Sequence, residues 1–181
     1  MSRLISLLLL FPVSAHAADP ALTGRWLKDC QDLSPQSQRE ALEIDASVFR
    51  YHITRHSEAG CQKPLYTFTW EARYSTPALG NAPLAIDFEL DRITVTPHTA
   101  RQAIRFATDA HCGLTDWKAL EPTEVTGRRC DGNQLAKRGY KAYGLYELSA
   151  EGRLTLDPRR SAPKPENRPK EAGPSVFEPT S

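Results

Sequence analysis

From Tyr66 to Tyr74 the chain alternates without a break: Tyr66, Phe68, Trp70, Ala72 and Tyr74 are aromatic or apolar, and Thr67, Thr69, Glu71 and Arg73 stand between them. A period of two sends successive side chains to opposite faces of a strand. A helix would spread the same residues around its whole circumference. The segment therefore reads as a strand with one buried face. The pattern recurs on both sides of it. Leu42, Ile44 and Ala46 oppose Glu43 and Asp45, and Phe49, Tyr51 and Ile53 alternate with Arg50, His52 and Thr54. Leu84, Ile86, Phe88 and Leu90 alternate with Asp87 and Glu89, and Ile93 and Val95 follow directly. Several half-buried strands in succession point to an antiparallel β protein.

Between the strands, Asp45-Ala46-Ser47 reads as a turn, and Pro77 to Pro83, with Gly80 and Asn81, as a loop. From Thr99 to Asp109 the period changes: Ala100, Ala103, Ile104 and Ala107 recur at helical spacing, with Thr99 placed to cap the N-terminus. One short helix leaning on the sheet is expected there. Tyr143 to Ser149 and Arg153 to Asp157, joined by Ala150-Glu151-Gly152, read as a hairpin. Beyond it the composition shifts, because six of the 14 prolines fall in the last 24 residues and only Val176 and Phe177 are notable apolar groups. Such a segment buries too little surface to offset its ordering entropy, so residues 158–181 are expected to form a disordered Pro-rich tail that Phe177 alone could pin. The expected domain is residues 18–157. Its natural form is a closed or nearly closed barrel, since closure removes adhesive strand edges. A two-sheet sandwich satisfies the same alternation.

The first seventeen residues read as an export address. Arg3 is their only charge, Leu4 to Phe11 is almost wholly apolar, Pro12 breaks the run, and Ala15-His16-Ala17 supplies a small-residue cleavage site. The apolar run is well short of the roughly 20 residues needed to span a bilayer, and no later segment is apolar enough either. A signal peptide over residues 1–17 and a periplasmic or secreted product are expected. The full chain has 23 Lys and Arg against 22 Asp and Glu; losing the leader removes Arg3 and no acid, leaving 22 of each sign. A neutral chain lacks the summed basic field that draws proteins to nucleic acid, so none is expected as a partner.

All four cysteines, Cys30, Cys61, Cys112 and Cys130, lie beyond the leader. An even count in an oxidising compartment reads as two disulfides. Three pairings are possible, and Cys30–Cys61 with Cys112–Cys130 is favoured because each joins near neighbours in sequence. A metal centre is the rival reading, drawing on His52, His56, His98 and His111. No C-x-x-C, H-x-x-x-H helix or H-E-x-x-H spacing supports it, so no metal and no cofactor is expected.

Three clusters are more particular than alternation: Gly24-Arg25-Trp26 followed by Cys30; Cys61-Gln62-Lys63-Pro64-Leu65-Tyr66-Thr67; and Cys112-Gly113, Trp117, Val125-Thr126-Gly127 and Cys130. The first resembles the G-x-W entry of lipocalin-type barrels. Together, in this order, they resemble the extracellular domain of the adenomatosis-polyposis-coli-down-regulated family of Wnt inhibitors, over roughly Leu22 to Asp157. The chain departs from that family after its first cysteine, where Gln31 to Arg39 lacks glycine, and in having one domain and no membrane segment. The resemblance implies a single-domain exported relative: a lipocalin-like barrel with internal disulfides and a cavity suited to an acyl chain. Wnt antagonism does not carry over.

The candidate cavity lining is Phe49, Tyr51, Tyr66, Phe68, Trp70 and Phe88, with Tyr66 and Trp70 the strongest because a buried hydroxyl or indole N–H must find a partner. The plain alternative is that these rings fill a small barrel, since eight strands leave room for side chains or one ligand. Trp26 and Trp117 read as structural residues packing one end. No nucleophile elbow, phosphate-binding glycine loop or zinc-protease helix is present, so no catalytic role is expected. Two functions follow. One is an exported, non-catalytic binding protein for a small hydrophobic or acylated ligand, or a lipidated protein. The other is an interaction module with a solid core.

Overall fold

A computed structural model describes residues 18–77 and 82–180. The expected leader, 1–17, and residues 78–81 of the expected Pro77–Pro83 loop lie outside the described residues. Eight strands carry the fold: β1 (Gly24–Leu27), β2 (Ser37–Ile44), β3 (Val48–His56), β4 (Pro64–Ser75), β5 (Leu84–Pro97), β6 (Lys141–Leu148), β7 (Leu154–Leu156) and β8 (Val176–Thr180). Each pairs antiparallel with the next, and β8 closes on β1. The result is a closed up-and-down barrel, the first of the two architectures that alternation allowed. Both favoured disulfides are present, Cys30–Cys61 and Cys112–Cys130.

The barrel wall is uneven in height. Strands β4 and β5 have 12 and 14 residues, whereas β1, β7 and β8 have 4, 3 and 5. At about 3.3 Å per residue the tall side overshoots the short side by tens of ångströms. Strand β6 pairs with β5 only from Leu84 to Glu89. From Leu90 to Pro97 the inner face of β5 must find another cover, and the segment 100–136 supplies it. A β-bulge keeps that face in register: Glu71 lies opposite Arg92 but Ala72 opposite Leu90, so Asp91 is the extra residue. The bulge explains why the buried positions of β5 change from even (Ile86, Phe88, Leu90) to odd (Ile93, Val95).

Two cores follow from this shape. The barrel core holds Trp26, Leu42, Phe49, Tyr74, Phe88, Tyr146 and Phe177 among others. The cap core packs Ile93 and Val95 against Phe106, Trp117, Val125 and the Cys112–Cys130 staple. Contrary to the expectation that both pack one end, Trp26 and Trp117 each anchor a different core, with indole N–H groups donating to Leu22 O at 2.9 Å and Leu114 O at 3.0 Å.

The helix α1 (Ala100–Thr108) starts at Thr99, whose hydroxyl accepts from Gln102 N at 3.1 Å. Its buried face differs from the expected one. Gln102, Ala103 and Phe106 turn inward, while Ile104 is 66% exposed. The large Phe106 ring outweighs the alanine spacing because it buries far more apolar area.

The expected disordered tail also needs correction. Residues 158–175 run as a strap outside β6, and residues 176–180 form β8, the stave that completes the barrel. Proline suits the strap, which needs few ladder bonds, and Phe177 buries itself completely in the barrel core. Arg168 fixes the strap: it donates to Gly144 O at 2.7 Å, pairs with Asp87 at 2.5 Å and lies over the Tyr143 ring. Gly144 lets the strap approach, since a Cβ there would meet Ser161 Oγ at 2.7 Å.

Three histidines pack against the outside of this wall. His52 Nδ1 bonds Thr69 Oγ1 at 2.9 Å, His98 Nε2 bonds Thr67 Oγ1 at 2.7 Å, and His56 is buried with Nδ1 unpartnered. Burial lowers the pKa of all three. The unfolded chain takes up protons below about pH 6.5 while the folded histidines resist until lower pH, so protonation favours unfolding. Urea midpoints are expected to hold above about pH 6.5 and fall as the solution is acidified below it. His56→Gln should flatten part of that fall. A midpoint that rises on acidification would contradict the assignment.

Candidate binding site

Inside the barrel the aromatic rings interlock. Phe49 lies 4.8 Å from Phe88, and Trp70 packs edge-on to Phe88 at 5.2 Å between ring centroids. Phe49, Tyr51 and Phe88 are buried, so three of the six expected lining residues are core. Trp70 sits at the junction, touching both cores. The structure therefore separates the expected set.

Above this core a belt of polar groups crosses the barrel. Gln38 and Glu40 continue the inner face of β2 beyond Leu42 and Ile44. The Glu40 carboxylate is 2% exposed; it accepts from Tyr51 Oη at 2.5 Å and Gln38 Nε2 at 2.9 Å. Lys28 approaches it at 3.4 Å and Arg159 at 3.5 Å. Lys28 also donates to Ser175 Oγ at 3.1 Å, and Arg159 pairs with Asp157 at 3.3 Å. Burial and the bond to Glu40 push the Tyr51 hydroxyl far up, so it remains a donor. A charge this buried persists only where counter-ions and hydrogen bonds satisfy it, and here one of its partners, Arg159, comes from the strap.

Tyr66 and Phe68 behave differently from the other rings. Both are half-buried, and they line a cleft of about 260 Å3 between the tall wall and the cap, with Ile53, Val95 and Leu135. The hydroxyls of Tyr51, Tyr74 and Tyr146 each donate to a protein acceptor, at 2.5, 2.9 and 2.8 Å. Among the described residues that of Tyr66 has none, and burial pushes its pKa up. Behind Tyr66 a second cleft of about 530 Å3 opens, sharing Tyr66, His111 and Asp131 with the first and bordered by Gln102, Arg105 and Arg129. His111 forms the partition. Its ring stacks on Phe106 at 4.1 Å, and Nδ1 lies 3.5 Å from Asp131.

The rim is built under strain. Ala110, Cys112 and Asp131 hold φ values of 47°, 53° and 47°, and each left-handed non-glycine residue costs about 1 kcal/mol or more. The Cys112–Cys130 bond ties these two turns together.

The sequence expectation thus reaches the cleft through Tyr66 and Phe68 and misses Ile53, Arg55, Val95, His111 and Leu135. Strand parity carried a signal for two of these, because Ile53 and Arg55 share the face of Phe49 and Tyr51. Nothing local marks His111 or Leu135, which the cap brings in. Among the described residues no group of three His, Cys, Asp or Glu side chains could hold a metal, and no helix is long and apolar enough to cross a membrane. No protein-family model and no curated protein matches the chain.

Proposed function

We propose that this protein is an exported, non-catalytic binding protein that holds a small hydrophobic or acyl-chain ligand in the cleft at the barrel mouth. The observation that carries the reading is the pair Tyr66 and Phe68. They are inner-face aromatics left half-covered in an open apolar cleft, although Phe49, Tyr51, Tyr74, Phe88, Tyr146 and Phe177 are buried in the barrel. Exposed apolar concavities with a few convergent polar groups are the usual form of a ligand site. Export is supported by the leader-like residues 1–17 and by two disulfides, which persist in oxidising compartments. Kinship with the adenomatosis-polyposis-coli-down-regulated family rests on the three residue clusters alone.

A homologous series of alkyl compounds tests the reading. Each buried methylene contributes about 0.8 kcal/mol, so every two carbons should tighten Kd about tenfold until the cleft is full. Isothermal titration on the purified chain measures this directly. Affinity independent of chain length, or no binding by any member, overturns it. The packed barrel interior favours a second reading, an interaction module that recognises a protein through its surface. That reading stands if no alkyl compound binds.

A further inference from the structure

The apolar cleft contains a cation with no counter-ion. Arg55 follows Phe49, Tyr51 and Ile53 on the inner face of β3 and lines the cleft beside Ile53 and Tyr66. Among the described residues its guanidinium makes no hydrogen bond and no ion pair. Arg50 and Arg168, also partly buried, contrast with it: they pair with Glu71 at 2.6 Å and Asp87 at 2.5 Å. Asp131 borders the same cleft, but its carboxylate is 75% exposed and turned toward His111. An unpaired guanidinium carries five donors in a planar fork suited to a carboxylate. Tyr66 lies directly across the β3–β4 ladder from Arg55 and adds a hydroxyl that has no protein acceptor.

We infer that the ligand of the mouth cleft is a free carboxylic acid with a short apolar chain, its carboxylate held by Arg55 and Tyr66 and its chain lying among Ile53, Phe68, Val95 and Leu135. The inference rests on the cleft being the binding site, as proposed above, and narrows the ligand from any hydrophobe to an anionic one. An ester keeps the chain and one carbonyl acceptor but lacks the negative charge, so Arg55 discriminates between a free acid and an acyl group attached to another molecule. The pairing is charge-assisted in a place where water is partly excluded, which makes it stronger than a neutral hydrogen bond.

The experiment compares octanoic acid, methyl octanoate and octanol by isothermal titration at neutral pH, on the full chain and on Arg55→Gln. The acid is expected to bind about tenfold tighter than the ester and the alcohol, the margin of one charge-assisted hydrogen bond over a neutral one. Arg55→Gln should remove that margin, weakening the acid more than the ester or the alcohol so that the three bind alike. Equal binding of all three by the unaltered chain overturns the carboxylate assignment and leaves the cleft itself standing. An acid preference that survives in Arg55→Gln overturns the role of Arg55. No binding by any of the three removes both the cleft and this inference. The comparison across ligands on the unaltered chain needs no variant to fold, and Tyr66→Phe supplies a second one, expected to weaken the acid more than the ester or the alcohol.

Discussion

A chain ending at Asp157 is expected not to form the cooperative fold. The missing residues include β8, which pairs with β7 through Leu154 and Thr155 and with β1 through Arg25, Trp26 and Leu27. Without them the barrel opens between β1 and β7, exposing two edges that would template association. The barrel core loses Phe177, and Glu40 loses Arg159. Near-UV circular dichroism of the truncated chain should be lost and its elution volume should shift to aggregated species. A milder version isolates one contact. Phe177→Ala removes a fully buried ring, for which core truncations cost about 3–5 kcal/mol, partly as cavity. In a domain of this size that corresponds to a fall in Tm of roughly 10 °C. A truncated chain that melts like the intact one would mean that residues 158–180 are an appendage after all.

Glu40→Ala should be the most damaging single change in a polar residue. It strips the acceptor from Tyr51 and Gln38 and leaves Lys28 and Arg159 with only their outer partners, Ser175 and Asp157. Breaking a buried ion pair from one side costs about 3 kcal/mol or more, because the remaining groups are left desolvated and unmatched. Glu40→Gln keeps an acceptor for Tyr51 while removing the charge, so it should fall between the variant and the unaltered chain. Denaturant midpoints at pH 7 measure both. If Glu40→Ala is neutral, the belt is not what ties the strap to the barrel.

The barrel was legible in the sequence because half-buried strands announce themselves locally. Phe49 to Ile53 and Tyr66 to Tyr74 state their own period, and the cysteines paired by simple proximity in sequence. The closing strand was not legible. Val176 and Phe177 offer too short an alternation, and β8 meets β1 across a separation of 155 residues, as between Thr180 and Arg25. No local signal encodes a contact of that range. The helix face was misread because alanine spacing pointed to Ile104, whereas burial follows the larger ring of Phe106.

The candidate site was half legible, for a related reason. Alternation places residues on the inner face but cannot say whether that face is filled by neighbours or left open. Phe49 and Phe68 have the same pattern, yet one is enclosed by Phe88 and Trp70 and the other meets a cleft. The difference comes from wall height. Phe49 lies level with the short strands, and Phe68 rises above them into the region that only the cap covers. The polar inner-face residues Gln38, Glu40 and Arg55 were visible by parity alone, since they extend the faces of Leu42 and Ile53. Their roles depend on which charges the fold brings opposite them.

Methyl-resolved NMR during titration with octanoic acid tests the central claim most directly, because it locates the ligand as well as detecting it. The expected result is a saturable shift of the Ile53, Val95 and Leu135 methyls at the mouth, with Ile44, Ile86 and Leu156 of the barrel core unmoved. Shifts confined to the core methyls, or none at all, would contradict a ligand site at the mouth of a filled barrel.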